Sequence, residues 1–504
     1  MIHFYQRRRR FLSWRRQASG LRFPVFGNQA ERAMDNNDNG AGKPVDLTRR
    51  KVLAGIAATA GAAGLAACGG SGDTSDDAAT QPLPAPEASG IDHIVVVMME
   101  NRSFDHYFSW VPGATTVNLS RLKLLDSDGN AVAGRQLTDY QNCQLADPDH
   151  GYDGGRLHLN GGKMDGFLLT QPVGDDFPIG FYTADDLPFY KGVVENFTLC
   201  DRYFTGILGP TQPNRYYMHA GQTDKKNNDI TFFSQPTVWD GLKSVGRSGR
   251  YYYGDLAGWA LVSLEFAGHN PGVANIRPYA QFLKDAASGD LADVTYIDPS
   301  MLGEGAGTSN DDHPLADIRK GQVLLNEIYD ALRNSPAWEK TLLIINYDEW
   351  GGFYDHVEPP FAPVTYEEYQ ATGNDGRLGF RVPCMAIGPR VKRGHIAKQQ
   401  LDPNSILNMI SWRFGFAPLG ARGTTSMNFA HILDFKSAPK LDAPAFNVPD
   451  DASYGQACSA QLSSAKTTMT AERYAEVQRR HAEHIDEWKG LVQAALDAGL
   501  VPPN

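Results

Sequence analysis

The 504-residue sequence predicts an α/β fold with a largely parallel central sheet flanked by helices. Short apolar runs rich in β-branched residues are typical of buried strands, and they occur at residues 91–99 and 340–347, with weaker examples at 294–297 and 382–387. Apolar residues at a spacing of about 3.6 indicate amphipathic helices at 315–332, 405–414 and 471–498. Buried strands that alternate with such helices favour a parallel sheet, whose ligands bind at the carboxyl ends of the strands.

Residues 1–67 have the pattern of an export signal. Arg49 and Arg50 precede an Ala/Gly-rich run over 52–67 that is too short for a membrane span, which indicates the twin-arginine (Tat) route. Met34 could be the true start of translation. The sequence just before Cys68 resembles a lipobox, so we expect either a membrane-anchored lipoprotein tethered through Cys68 or a periplasmic or secreted protein.

The composition of the residues after 67 predicts a tether followed by one domain. Residues 68–88 are rich in Gly, Ser, Asp and Pro and predict a flexible tether, followed by a folded domain over 89–504 with a C-terminal helical extension. Residues 1–67 contain 12 Lys and Arg against 4 Asp and Glu, which leaves 35 against 54 in the rest. A body this acidic is a poor binder of nucleic acid, so we expect no nucleic-acid partner.

Four cysteines follow the predicted signal, and an even number in an oxidising compartment allows one or two disulfides among Cys143, Cys200, Cys384 and Cys458. None of them lies in a CxxC pair, which argues against a zinc knuckle or a redox motif.

Residues with carboxylate side chains come directly after the two most clearly predicted strands, 91–99 and 340–347. Glu100 and Asn101 come after the first, and Asp348 and Glu349 come after the second. A carboxylate at a buried strand end is costly unless it is paired, hydrogen-bonded or bound to a cation. Hard oxygen ligands suit Mg²⁺, Ca²⁺ or Mn²⁺, whereas added histidine favours Zn²⁺ or Fe, so the sequence predicts a divalent metal ion of open identity.

A turn and several Asp-His pairs complete the candidate site. Residues 209–216 contain two prolines and a glycine, which predict a rigid, exposed turn carrying Thr211 and Arg215. A hydroxyl on such a turn, beside a cation, can attack phosphorus, although a plain β-turn is the common interpretation of this motif alone. The pairs are Asp105-His106, Asp149-His150, Asp312-His313 and Asp355-His356. A structural role is the common interpretation of any single histidine, and it is the one expected for His106.

Together these segments resemble the bacterial phosphoesterase family that contains non-haemolytic phospholipases C and AcpA-type acid phosphatases. The resemblance extends from residue 91 to about 417. Its motifs are HIVVVMMENRSFDHYF (93–108), DPDHGYDGG (147–155), GKMDGF (162–167), GPTQPNR (209–215), DDHP (311–314), YDEWGGFYDH (347–356) and RVPCMAIGPRV (381–391).

The resemblance implies an alkaline-phosphatase-like fold and an exported hydrolase that acts on phosphate esters. Thr211 matches the nucleophile, which would form a phospho-enzyme that water then hydrolyses. The residues matching the metal or phosphate ligands are Glu100, Asn101, Asp348 and Glu349. Those matching the polar ring around the phosphoryl group are His150, Asp312, His313 and His356, of which His313 or His356 would protonate the leaving alkoxide.

The resemblance leaves the substrate open between a monoester and a phospholipid. Longer phospholipases of the family carry extra C-terminal β domains that have no counterpart here, which favours a broad-specificity acid phosphatase; the alternative is a phospholipase C for phosphatidylcholine-type lipids. A tethered periplasmic binding protein is the alternative of another class. A sulfatase is disfavoured because no CxPxR-type signature occurs.

One segment departs from the family pattern. An aspartate-histidine-threonine-serine stretch is frequent there, whereas residues 401–405 read Leu-Asp-Pro-Asn-Ser, with Pro403 and no histidine. A missing ligand or supporting residue would alter the metal preference or the activity.

Overall fold

A central sheet organises the part of the chain that the computed structural model describes, which is residues 82–466 and 469–503. The predicted signal segment, Cys68 and the tether up to residue 81 lie outside the described residues. The strands are β1 (His93–Met99), β2 (Lys123–Leu125), β3 (Ala131–Ala133), β4 (Thr198–Tyr203), β5 (Gly249–Tyr253), β6 (Ile276–Pro278), β7 (Val294–Asp298), β8 (Thr341–Tyr347), β9 (Cys384–Ile387) and β10 (His395–Leu401).

Helices surround these strands. They are α1 (Phe104–Phe108), α2 (Tyr152–Leu159), α3 (Pro188–Asn196), α4 (Thr211–Ala220), α5 (Val238–Ser244), α6 (Leu256–Ala260), α7 (Tyr279–Ser288), α8 (Ile318–Arg333), α9 (Tyr366–Thr372), α10 (Pro403–Phe414), α11 (Cys458–Ala465) and α12 (Ala471–Asp497). No helix among the described residues combines the length and the apolar character that a membrane span requires.

The large sheet has eight strands in the order β10-β4-β9-β8-β1-β7-β5-β6. All neighbouring pairs are parallel except the two made by β9, which runs antiparallel to β4 and to β8. The predicted α/β class with a largely parallel sheet is therefore confirmed, as are the four predicted strands. β2 and β3 form a separate antiparallel ribbon.

β1 lies at the centre of the sheet, between β7 and β8, and its apolar sequence follows from this position. Residues Ile94 to Met99 are buried, as expected of a parallel strand covered on both faces. β1 and β8 pair from His93 with Thr341 to Met99 with Tyr347. Because the two strands are in register and parallel, the residues that follow them emerge side by side at one edge.

The segment that departs from the family pattern begins α10. Asp402 caps the helix: its Oδ1 accepts a hydrogen bond from the Ser405 amide at 2.9 Å, and Ser405 Oγ accepts one from the Asp402 amide at 3.1 Å. Pro403 occupies the first helical turn, where a missing N–H costs nothing. The sequence Asp-Pro-Asn-Ser thus forms a capping box.

A disulfide between Cys143 and Cys458 joins the N-terminal half of the domain to α11. Cys200 and Cys384, which lie on the neighbouring strands β4 and β9, are buried free thiols. Of the four described cysteines, two form one disulfide, in agreement with the prediction of one or two disulfides.

Candidate active site

A buried arginine joins three carboxylates at the edge where the parallel strands end. Glu100 follows β1, Asp348 follows β8, and Asp298 ends β7. Arg215 Nη2 donates to Glu100 Oε1 at 3.0 Å. Arg215 Nη1 lies 2.8 Å from Asp298 Oδ1, and Nε lies 3.5 Å from Asp348 Oδ2. Because these side chains are buried, each carboxylate would be costly without a cationic partner, and the guanidinium supplies one.

Thr211 is the first residue of α4, and its buried Oγ1 has no hydrogen-bond partner within the described part of the chain. Asn214 Nδ2 fixes the preceding turn by donating to the main-chain oxygens of Gly209 and Pro210 at 2.8 and 3.1 Å. Thr211 and Arg215 are four residues apart and therefore share one face of the helix. The prediction of an exposed turn was wrong: this segment is buried, because it begins a helix that packs into the core.

The four predicted metal ligands share one property. Each has a buried side-chain oxygen that accepts no hydrogen bond from any described residue: Glu100 Oε2, Asn101 Oδ1, Asp348 Oδ2 and Glu349 Oε1. Buried oxygens of this kind normally have a partner, and a set of carboxylate and amide oxygens matches the preference of hard divalent cations. The residues therefore fit a divalent metal ion, and its identity stays open.

Backbone geometry brings two of these ligands together. Asn101 has φ of 59°, in the left-handed region that asparagine tolerates, and its amide donates to Asp348 Oδ1 at 3.1 Å. Gly351 has φ of 63°, and a Cβ there would overlap the main-chain oxygen of Asn101. Only glycine allows this close approach, which explains the glycine that follows Trp350.

The acidic groups titrate unusually because they are buried close together. Burial, reinforced by the charge of Asp348, raises the pKa of Glu100 to about 7. Burial also raises the pKa of Asp348, and it raises that of Glu349 well above its usual value. Such carboxyl groups favour the neutral form until a cation approaches, so binding of a divalent cation would restore their charge.

Two of the predicted histidines lie beside the acidic cluster formed by Glu100, Asp348 and Glu349. His150 Nδ1 donates to the main-chain oxygen of Pro148 at 2.7 Å, and its Nε2 lies 3.9 Å from Glu349 Oε1. The ring centroid of His313 is 5.4 Å from that of His150. His313 Nδ1 lies 3.1 Å from Glu304 Oε2, and its Nε2 has no hydrogen-bond partner.

The charge state of His313 follows from these neighbours. Burial opposes protonation, but the charges of Glu304 and Asp147 outweigh it, and the pKa of His313 lies well above its usual value. The imidazolium therefore has an Nε2–H group that is free to donate a proton.

Glu304 and His484 belong to the site although the sequence did not predict them. The ring of His484 stacks on that of His313 with a centroid distance of 3.6 Å. His484 Nε2 lies 3.1 Å from Glu304 Oε1 and 3.7 Å from Glu100 Oε2. Glu100, Glu304 and His484 thus form a cluster with the composition of a cation site.

A sequence signal for His484 existed on α12. His481, His484 and Trp488 are spaced by three and four residues, so they share one face of the helix, and all three are buried. Trp488 Nε1 donates to His484 Nε2 at 2.9 Å. Histidines on the buried face of an otherwise charged helix indicate polar partners beneath that face.

Asp312 is held by three tyrosines. Its Oδ2 accepts hydrogen bonds from the hydroxyl groups of Tyr107, Tyr190 and Tyr347 at 3.0, 3.0 and 2.5 Å. Burial and the charges of Glu304 and Glu100 raise the pKa of its neighbour Asp311 well above its usual value. A catalytic role for Asp312 stays a prediction.

His356 belongs to a second charged cluster. Its Nδ1 lies 2.5 Å from Asp105 Oδ2. Arg381 contacts both Asp105 and Asp355, at 3.2 and 3.0 Å. The structure therefore pairs His356 with these residues, and its predicted place in the ring around the phosphoryl group stays a prediction.

A cavity of about 440 Å³ opens beside the site. His150 and His484 line it, as does Pro210, the residue before Thr211. The other lining residues are mostly charged or polar. A group bound in this cavity would therefore meet polar side chains and two imidazole rings next to the candidate nucleophile.

Comparisons with known proteins agree with this site. Residues 91–417 match the model of the Phosphoesterase family. The chain is 30% identical over 494 residues to phospholipase C B of Mycobacterium tuberculosis, covering 81% of this chain and 91% of that protein. It is 29% identical over 398 residues to non-specific phospholipase C6 of Arabidopsis thaliana, covering 71% of this chain and 74% of that protein.

Solved structures show weaker likenesses. Murine ectonucleotide pyrophosphatase / phosphodiesterase 5 has a TM-score of 0.34 and 11% identity, covering 49% of this chain and 95% of that chain. The PsFucS1 sulfatase from a Pseudoalteromonas species has a TM-score of 0.36 and 9% identity, covering 71% and 78%. The family match and the phospholipase C relatives decide the assignment: the chain belongs to the Phosphoesterase family and is a hydrolase of phosphate esters.

Proposed function

We propose that the protein is a phospholipase C-type phosphodiesterase that uses Thr211 as its nucleophile. The observation that carries this proposal is the buried Thr211 hydroxyl without a hydrogen-bond partner, on the helix face that also holds Arg215. Arg215 links that face to Glu100 and Asp348. A phosphate bound there would meet a hydroxyl group and the candidate metal ligands together.

The reaction proposed has two steps. Thr211 Oγ1 attacks phosphorus and displaces one alkoxide, so that the phosphate is held on the threonine oxygen and keeps its other ester group, while a carboxylate of the acidic cluster takes the hydroxyl proton. His313, held in its protonated form by Glu304, gives the Nε2 proton to the leaving alkoxide. Water then attacks the same phosphorus and gives one proton to His313, the phosphomonoester leaves, and the threonine oxygen takes back the proton from the carboxylate.

A divalent cation would be held by Glu100, Asn101, Asp348 and Glu349, the residues whose oxygens lack partners. When bound, such a cation supplies charge stabilisation for the phosphoryl oxygens. The chain's own contribution is to keep these ligands buried and oriented: the amides of Asn101 and Glu349 both donate to Asp348 Oδ1, at 3.1 and 2.7 Å.

The curated relatives support the phospholipase C assignment. Phospholipase C B is matched over 91% of its length, so the length of this chain does not separate it from a phospholipase C. A broad-specificity acid phosphatase is the second candidate, and the polar cavity favours it, because a phosphomonoester with a hydrophilic group would fit there without apolar contacts.

Hydrolysis of two chromogenic esters tests these assignments. We expect the purified protein to hydrolyse p-nitrophenylphosphorylcholine, a diester, faster than p-nitrophenyl phosphate, a monoester. The opposite preference would favour the acid phosphatase. Chelator should abolish turnover and an added divalent cation should restore it. Full activity of the Thr211→Ala variant would refute Thr211 as the nucleophile.

Export is a further part of this proposal. The predicted signal with Arg49 and Arg50, and Cys68, the predicted site of lipidation, lie outside the described residues. The disulfide between Cys143 and Cys458 supports an oxidising compartment. We expect replacement of both arginines by lysine to retain the protein in the cytoplasm, and fractionation with lipid labelling at Cys68 would distinguish an anchored protein from a secreted one.

A further inference from the structure

We infer that the cavity beneath α12 is a binding pocket for the organic group of the phosphate ester, and that it selects a group bearing a primary ammonium. This inference rests on the proposed function, because it takes the phosphate to lie at Thr211. It concerns a part of the chain, α12, that lies beyond the residues matched by the family model.

The position of the cavity points to an ester group. Its wall includes residues 147–151 on one side and α12 on the other, with Pro210 directly before Thr211. His150 and His484, which belong to the candidate active site, also line it. A phosphate attached at Thr211 would therefore extend one of its ester groups into the cavity.

α12 is a firmly held wall of this cavity. Arg480 Nη1 donates to the main-chain oxygen of Asp147 at 3.1 Å and to Gln171 Oε1 at 2.7 Å. His481 Nε2 donates to the main-chain oxygen of Leu145 at 2.9 Å. The helix is thus fastened to the segment that carries His150.

Carboxylates dominate the charge of the wall. The charged lining residues are Asp147, Asp149, Arg479, Arg480, Glu483 and Glu487. Both arginines have carboxylate partners already, since each contacts Glu476, and Arg479 also contacts Glu483. The arginines are therefore poor sites for an additional anion.

Three carboxylates of the wall have no arginine partner among the described residues: Asp147, Asp149 and Glu487. Asp147 is 7% exposed, and its Oδ1 has no hydrogen-bond partner in the part of the chain that the structure describes. His150 Nδ1 and His313 Nε2 lie 3.8 and 4.0 Å from its carboxylate oxygens, beyond hydrogen-bond distance. Glu487 Oε2 accepts a hydrogen bond from the neutral amide of Asn228 at 2.9 Å. A buried carboxylate oxygen without a donor, together with an exposed carboxylate across the same cavity, favours a cationic ligand with N–H groups.

The wall also indicates which kind of cation fits. Among the described residues that line the cavity, none is Phe, Tyr or Trp. Aromatic faces are what proteins use to bind quaternary ammonium groups, whereas a primary ammonium donates three hydrogen bonds to oxygens. The pocket therefore fits an aminoethyl group better than a choline group.

Binding to the full-length Thr211→Ala variant tests this inference without turnover. Calorimetry would compare phosphoethanolamine, phosphocholine and ethyl phosphate, with the divalent cation present. We expect phosphoethanolamine to bind about fivefold more tightly than ethyl phosphate, the gain typical of a solvent-accessible ion pair. Adding Glu487→Gln should reduce this ratio about twofold to threefold. Adding Asp486→Asn, the same charge change at an exposed position of α12 outside the cavity, should not alter it.

The outcomes separate this inference from the proposed function. Equal affinity for phosphoethanolamine and ethyl phosphate, or tighter binding of phosphocholine, would overturn the pocket and leave catalysis by Thr211 untouched. If Thr211→Ala binds phosphoethanolamine more tightly than ethyl phosphate but the wild-type protein shows no turnover, the proposed function alone would be overturned. Failure of all three esters to bind would overturn the pocket, and the turnover of the wild type would then decide the proposed function separately.

Discussion

Replacement of Arg215 by methionine should destabilise the protein strongly. The change removes the cationic partner of Glu100, Asp298 and Asp348, all buried, while it preserves most of the side-chain volume. Removing one partner of a buried ion pair costs about 3–5 kcal/mol, because the remaining charge stays desolvated. With three carboxylates affected, we expect a loss of at least about 4 kcal/mol in the free energy of unfolding.

Differential scanning calorimetry would measure this loss. For a body of about 400 residues with about 2 cal/mol/K of unfolding entropy per residue, 4 kcal/mol lowers the Tm by about 5 °C. The control is Arg135→Met, which removes an exposed two-point ion pair with Asp176 and should cost at most about 1 kcal/mol. Equal Tm values for the two variants would refute the claim that Arg215 neutralises the strand-end carboxylates.

Three further predictions concern stability. Burial and the charge of Arg215 lower the pKa of His219 to about 3, whereas its value in the unfolded chain is about 6.5. Between these two pH values the unfolded state binds more protons than the folded state, so the free energy of unfolding rises with pH. His219→Gln should therefore reduce the slope of unfolding free energy against pH by about 1.4 kcal/mol per unit near pH 5, and an unchanged slope in denaturant titrations would contradict this. Cys458→Ser should lower the unfolding free energy by about 2–4 kcal/mol and make the Tm insensitive to reductant, whereas a Tm that still falls with reductant would argue against the disulfide. Gly351→Ala should lower both metal affinity and Tm, because the added Cβ would overlap main-chain atoms. The control is Gly246→Ala, where φ is 68° and the space around the glycine is open, and it should lower the free energy of unfolding by only about 1 kcal/mol. Equal effects of the two substitutions would show that the positive φ alone, and not the overlap, determines the loss.

The sequence predicted those parts of the fold that depend on local patterns. Apolar β-branched runs identified β1 and β8, and the carboxylates directly after them lie together because parallel strands in register end at one edge. The direction of β9 could not be predicted, since a short apolar run has the same pattern whether it lies parallel or antiparallel to its neighbours.

The parts of the site that the sequence did not reveal depend on tertiary packing. Glu304 lies in a short 3₁₀ turn and His484 on the last helix, and neither has a local motif that ties it to Glu100. The Pro/Gly-rich segment before Thr211 was predicted to be exposed because turn-forming residues favour the surface. Its composition does not indicate that other parts of the domain pack over it and bury it.

The central claim is that Thr211 becomes phosphorylated during turnover. The direct measurement is mass spectrometry of the active-site peptide after acid quenching within the first turnovers of a phosphodiester substrate. The account predicts one added phosphate group that still carries the retained ester group on Thr211, the same adduct on the serine of Thr211→Ser, and its absence in Thr211→Ala together with the loss of hydrolysis. A wild-type enzyme that turns over at full rate with no phosphorylated peptide, or a Thr211→Ala variant that retains hydrolysis, would contradict it.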